Sequence, residues 1–225
     1  MEIKLLTIKE DILGANEAKA RMNRERLNKY SIVAINIMSS PGAGKTSLII
    51  QTINKLKPTT RIAVIEGDVA SQVDAEKVHQ QGVPIIQINI PGGCHLDANM
   101  IENALNDLPL EDLDLLLIEN VGNLICPAEF DLGEHKKVIL ASTPEGDDKP
   151  DKYPLMFSEA DVVLVTKCDL MPYMDFQFDN FFRGIARVNP AVGIFQVSCK
   201  TGEGIEQWFD WLLNQMKDSK AHPPP

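Results

Sequence analysis

The sequence predicts an α/β fold: a mainly parallel sheet of about seven strands, with helices on both faces. Three observations predict it. Apolar β-type runs recur along the 225 residues, separated by segments with helical spacing. The runs are nearly continuous in Ile, Val and Leu, as strands buried on both sides require. One of them ends in a glycine-rich turn that opens directly into a helix, the usual entrance of an open α/β domain.

Residues 7–29, "TIKEDILGANEAKARMNRERLNK", are charged and helix-prone, with thinly spaced apolar residues. They read as a leader helix on the surface or at a subunit contact, so residues 1–30 are set apart from a domain over 31–218. The strands fall at "SIVAINIM" (31–38), "RIAVIEGD" (61–68), "VPIIQINI" (83–90), "LDLLLIENVG" (113–122), "KKVILAST" (136–143), "ADVVLVTKCD" (160–169) and "GIFQVSC" (193–199). Helices are expected from "KTSLIIQTINKL" (45–56), "ASQVDAEKVHQQG", "LDANMIENALNDL" and the closing "GEGIEQWFDWLLNQM" (202–216). "TPEGDDKPDKYP" (143–154), rich in Pro, Gly and Asp, reads as a loop. Residues 219–225, which include "KAHPPP" (220–225), are expected to be a disordered tail. There is no internal repeat.

Composition is that of a globular protein, 44% hydrophobic and 24% charged, with a net charge of −10. An acidic surface argues against a sequence-independent grip on nucleic acid, which needs clustered Lys and Arg. No apolar run reaches the ~20 residues of a membrane span, and the N-terminus has no signal-peptide pattern. A cytoplasmic protein with no nucleic-acid or membrane partner is expected. In a reducing compartment its four cysteines, Cys94, Cys126, Cys168 and Cys199, are expected as core residues, metal ligands or reactive thiols more often than as disulfides.

The turn after the first strand reads "SSPGAGKTS". This is the P-loop pattern with Ser39 at its first glycine position. Gly42, Ala43 and Gly44 let backbone N–H groups converge on phosphate oxygens at the start of a helix, where Ser47 adds a further contact. Lys45 would reach the β- and γ-phosphates, and the Thr46 hydroxyl would bind Mg²⁺. Two later strands end in carboxylates, Asp68 and Glu119. Carboxylates at strand ends beside a P-loop can hold Mg²⁺ or orient an attacking water. "ENVG" also resembles the D-x-x-G of GTPases and sets Gly122 near the γ-phosphate. Asp74 is either a contact in the same region or a solvated helix start.

"VTKCD" carries T-K-x-D, close to the N-K-x-D that reads guanine, with Thr166 in place of Asn. The Asp169 carboxylate can accept from both N1–H and the 2-amino group of guanine, and adenine offers neither donor. The Lys167 stem can lie along the base. "SCKTGEG" would support guanine O6 through Ser198, Cys199 and Lys200. GTP is therefore favoured over ATP, and Cys168 and Cys199 read mainly as small buried residues.

"NIPGGCHLDANM" leaves three readings open for Cys94 and His95: metal ligands, a nucleophile with its base, or loop residues. His79 and His135 read as surface or partly satisfied histidines.

"SSPGAGKTS", "EGDVAS", "GGCHLDA", "IENVGNLICPAEFDLGEHKKV", "STPEGDDKPDKYP", "VTKCDL" and "SCKTGEG" together resemble the HypB family over roughly residues 10–215. The resemblance implies a Mg²⁺-dependent P-loop GTPase of the signal-recognition-particle and MinD class that helps insert nickel into [NiFe] hydrogenase. It implies a nucleotide-dependent homodimer, with a small zinc or nickel maturation chaperone and the hydrogenase large subunit as partners. It also implies that Cys94, His95 and Cys126 bind Ni²⁺ or Zn²⁺, donors that suit both ions. Three ligands leave a four-coordinate site incomplete, which a two-fold interface could complete. N-terminal nickel storage is not expected, because the first cysteine is Cys94. A nucleotide-dependent kinase and a ParA- or MinD-like switch are the alternatives. The T-K-x-D motif argues against the first, and the acidic polar face of the C-terminal helix against the second.

Overall fold

The computed structural model describes residues 8–69 and 71–221. Of the tail expected at 219–225, residues 219–221 continue the closing helix, and the rest lie outside the described residues. Seven strands form one sheet: β1 (Val33–Ser39), β2 (Ile62–Asp68), β3 (Ile85–Asn89), β4 (Leu115–Glu119), β5 (Lys136–Ser142), β6 (Val162–Thr166) and β7 (Gly193–Val197). Their order is β3-β2-β4-β1-β5-β6-β7, and every neighbouring pair is parallel. The chain moves from β1 to one side of the sheet and later returns to its other side, which opens a crevice beyond the carboxyl end of β1.

Strand side chains alternate between the two faces. Val33, Ile35 and Ile37 of β1 join one core with α2 (Lys45–Leu56), α3 (Val73–His79) and α9 (Ile205–Ala221). Ala34 faces the other side, beneath α1 (Ile8–Lys29) and α4 (Ala98–Asn106). Met38 extends that side toward α7 (Pro154–Ser158) and α8 (Phe178–Val188). The short helices α5 (Cys126–Glu129) and α6 (Lys149–Lys152) complete the set. In α9, Trp208, Phe209 and Leu212 are buried against the sheet, so this apolar stripe is core and not a membrane-seeking face. The Trp208 indole N–H donates to Thr52 Oγ1 of α2 at 2.9 Å, and its ring stacks on Trp211 at 5.6 Å. Among the described residues, no helix is long and apolar enough to cross a membrane.

Two segments differ from the sequence reading. The leader helix α1 is fastened down, not merely laid on the surface. Ala20, Asn23 and Leu27 are buried, and Asn23 Nδ2 donates to the carbonyls of Ala98 (2.8 Å) and Leu132 (3.0 Å). Arg24 Nη2 donates to Asp131 Oδ1 at 2.9 Å and to the Glu134 carbonyl at 2.8 Å. A small residue, an amide and one leucine make the seam, so an apolar count along the helix passes over it. Residues 143–154, expected as a loop, hold a 3₁₀ turn at Thr143–Glu145, then α6 and the start of α7. The Glu145 carboxylate accepts from the Ser142 N–H and hydroxyl at 2.9 and 2.6 Å, closing a capping box. Prolines at the starts of α6 and α7 occupy first-turn positions that need no N–H donor.

His135 is built into this framework. Its Nδ1 accepts from the Ala34 N–H at 2.9 Å, which leaves Nε2–H to donate to Asn28 Oδ1 at 2.8 Å. Burial, with Arg24 and Lys136 nearby, lowers its pKa to about 4. The folded state thus holds the neutral ring, and the unfolded chain takes the proton first as pH falls. The stability that His135 contributes is complete above about pH 6.5 and drains as pH drops toward 4. In urea unfolding, the stability difference between wild type and His135→Leu should shrink by about 3 kcal/mol from pH 7 to pH 4. A pH-independent difference would contradict the half-buried neutral ring.

Candidate functional site

The crevice above β1 begins with the P-loop. Ser39 ends the strand fully buried, and its hydroxyl lies 3.3 Å from Lys45 Nζ. Gly44 caps α2 in a left-handed conformation at φ 104°, which aims the first N–H groups of the helix into the loop. Thr46 Oγ1 donates to Glu119 Oε1 at 2.9 Å. The two partners proposed for one cation are therefore already neighbours.

Glu119 is not the only carboxylate there. Glu66 on β2 stands in register with it on β4, and both are buried. Each keeps one oxygen, Oε2, buried with no hydrogen-bond partner. Burial pushes Glu119 up to about 7, against the pull of Lys45 and the Thr46 hydroxyl. Burial first, and then the charge of Glu119, pushes Glu66 up to about 8. Two orphaned carboxylate oxygens beside Lys45 and Thr46 suit a divalent cation. Asp68 and Asp74 add negative potential at both glutamates. Asp68 itself accepts from the N–H groups of Val69 (2.6 Å) and Ser71 (3.2 Å), so its carboxylate shapes the following turn.

The residues expected at the base line a cleft of about 320 Å³, formed by Ala43, Ser47, Lys167, Asp169, Ser198 and Lys200 among others. Thr166, which departs from the usual Asn, donates from Oγ1 to the Ala43 carbonyl at 2.6 Å. It ties β6 to the P-loop directly. Lys167 adopts φ 56° and donates from Nζ to the Gly42 carbonyl at 2.7 Å. Ser198 Oγ donates to Asp169 Oδ1 at 2.6 Å, which orients that carboxylate across the cleft. Cys168 is buried as expected. Cys199 is only half-buried and lines the cleft, with burial raising its thiol to about 11.

The Cys-His loop lies beyond β3. Cys94, His95 and Cys126 bring one ligand atom each to within 4.8 Å of one another, all half-buried. Cys94 Sγ is 3.3 Å from His95 Nδ1, so adjacency in the chain does not keep the pair apart. A hydrogen bond to Cys126, then burial, raises the Cys94 thiol. That is the opposite of an activated nucleophile. Burial lowers the His95 pKa, which keeps a ring nitrogen free to coordinate. The His95 ring packs on Phe130 with centroids 3.9 Å apart.

The CobW/HypB/UreG nucleotide-binding domain matches residues 33–196. Hydrogenase maturation factor HypB of Azotobacter vinelandii is 48% identical over 214 residues, covering 94% of this chain and 70% of that protein. The chain belongs to the HypB family. HypB of Helicobacter pylori, solved in complex with nickel, is 37% identical with a TM-score of 0.86, and the match covers 91% of this chain and 96% of that one. FtsY of Elizabethkingia anophelis, the signal recognition particle receptor, shares the fold at 15% identity and a TM-score of 0.52, over 78% of this chain and 65% of that one.

Two buried polar residues at this crevice, Glu66 and Asn120, hold none of the positions to which the sequence motifs assign a role. Glu66 lies inside a strand that otherwise reads as apolar, and a carboxylate there was itself the signal of a buried acid. Asn120, one position past Glu119, is almost fully buried and hydrogen-bonded on both ends of its amide. Gly122 sits where the segment after β4 meets the P-loop, and a Cβ there would stand 2.9 Å from the backbone of Pro41. Gly122→Ala should displace the loop and weaken nucleotide binding by about tenfold, ~1.4 kcal/mol, in titration calorimetry. Its far-ultraviolet circular dichroism should match wild type. Unchanged affinity would mean that the loop absorbs the methyl group without moving.

Proposed function

We propose that this chain is a Mg²⁺-dependent GTPase that carries nickel toward [NiFe] hydrogenase. The observation that carries the reading is the convergence of Cys94, His95 and Cys126 within 4.8 Å. Cys126 lies seven residues beyond Glu119 on the segment that faces the P-loop. Membership of a family of hydrogenase maturation factors, and a relative solved with nickel, support it. Thiolate and imidazole donors suit Ni²⁺ and also Zn²⁺.

Guanine would be read by Asp169, oriented by Ser198 and flanked by Lys167, Cys199 and Lys200. Thr46, Glu119 and Asp68 would hold Mg²⁺, which when bound offsets charge on the β- and γ-phosphates. Gly42, Ala43, Gly44 and Ser47 cradle the phosphates through the loop, and Lys45 draws charge toward the β–γ bridge. Asp68 orients a water in line with the γ-phosphorus. The water oxygen bonds to phosphorus as the bond to the bridging oxygen breaks, and GDP and phosphate leave. The loops carry no obvious arginine finger in the sequence, so unassisted turnover should be slow.

Three ligands per chain favour a homodimer that completes the metal shell across a two-fold axis. A small zinc or nickel maturation chaperone and the hydrogenase large subunit fit as donor and acceptor of the ion. The cytoplasm, where free thiols persist, suits this work. The segment from Glu119 to Cys126 gives nucleotide state a path to the metal ligands, so nickel affinity should differ between GDP and GTP states.

Nickel titration of wild type, Cys94→Ala, His95→Ala and Cys126→Ala, each with GDP and with a non-hydrolysable GTP analogue, tests this reading. Each substitution should abolish the tight site and leave nucleotide affinity within about threefold of wild type. Nickel binding that survives all three removes the metallochaperone reading. Asp169→Asn should cost GTP about 100-fold in affinity while improving xanthosine triphosphate, whose C2 carbonyl meets the new amide. Equal binding of GTP by the variant would refute the proposed base contact.

A further inference from the structure

The metal loop is held at both ends by the strands that carry the nucleotide-facing carboxylates. At its start, the Ile90 N–H donates to the Asp68 carbonyl at 2.9 Å. At its end, the Leu96 N–H donates to Asn120 Oδ1 at 3.2 Å. Cys94 and His95 lie between these two anchors. The Leu96 side chain is fully buried over Gly67, where a Cβ would come within 2.8 Å of it, so the end of the loop has no slack.

Asn120 is the more telling anchor. It follows Glu119, whose carboxylate accepts from Thr46 of the P-loop. Its backbone N–H donates to the Ile37 carbonyl at 3.0 Å. Its Nδ2 donates to Asn36 Oδ1 at 3.2 Å, on the strand that runs into the P-loop. One buried amide therefore touches the P-loop strand, the carboxylate segment and the metal loop. A buried amide with fixed partners cannot slide without leaving a donor or acceptor unpaired, which costs about 1–3 kcal/mol. A displacement of Glu119 is thereby passed to Leu96 and to the ligands beside it.

We infer that Asn120 is the positioning residue that couples nucleotide state to the placement of Cys94 and His95, an inference that rests on the proposed nickel-binding GTPase. It acts through the loop backbone and touches neither ion nor nucleotide. This route is separate from the covalent one through Cys126.

The test measures Ni²⁺ affinity with GDP and with a non-hydrolysable GTP analogue in wild type, Asn120→Ala and Asn120→Asp. Melting temperature and nucleotide affinity are recorded beside it. Wild type should show about a tenfold ratio between the two nucleotide states. Asn120→Ala should bring the ratio close to one while still binding both ligands. Asn120→Asp, which keeps an acceptor for the Leu96 N–H, should restore much of it. An unchanged ratio in folded Asn120→Ala overturns the inference and leaves the nickel-binding GTPase standing. A wild-type ratio of one overturns it together with nucleotide gating, whereas loss of nickel binding in Cys94→Ala keeps the metal site itself. Should Asn120→Ala fold poorly, hydrogen exchange of the Leu96 amide in wild type decides. Its protection should differ about tenfold between the two nucleotide states, and equal protection overturns the inference.

Discussion

Parallel strand direction is the constraint from which the site follows. Seven strands run the same way, so their carboxyl ends share one edge of the sheet. The P-loop leaves β1, Glu66 and Asp68 end β2, Glu119 ends β4, and Lys167 and Asp169 follow β6. Apart from Glu66 with Asp68 and Lys167 with Asp169, these residues are far apart in the chain and meet only at that shared edge. The apolar interior that fixes the strands is what brings a lysine and several carboxylates into one crevice.

That crevice is built against its own electrostatics. Two glutamates are buried side by side, and each keeps an oxygen without a partner. Such an arrangement is costly in a protein that never meets a cation and natural in one that does. Rigidity nearby comes from bonds that cross between segments: Thr166 to Ala43, Lys167 to Gly42, Ser198 to Asp169. The segments after β6 and the P-loop are thus tied into one unit.

Local chemistry was legible in the sequence, and long-range pairing was not. The seven strands could be read because each is a run of branched apolar residues that only a doubly covered sheet can hide. The P-loop and T-K-x-D could be read because their spacing is local. Cys94, His95 and Cys126 lie in segments about thirty residues apart, and only the family resemblance joined them. Glu66 fills no motif position with an assigned role and reads in the sequence as a polar interruption of a strand. Asn23, Asn36 and Asn120 were invisible as structural residues, since an amide reveals its value only when its partners are known. The turns at 143–154 went unread because a capping box and first-turn prolines share their residue types with loops.

Both tryptophans of the chain lie on α9, behind the helix that the P-loop opens. Trp208 is fully buried and bonded through its indole N–H to Thr52, two turns along α2 from Lys45. The protein therefore carries its own optical gauge. Indole emission depends on the hydrogen bond and the packing around the ring, so a small tilt of α2 would register as a change in intrinsic fluorescence. Events at the phosphate loop can be followed in time without adding a dye or altering a residue.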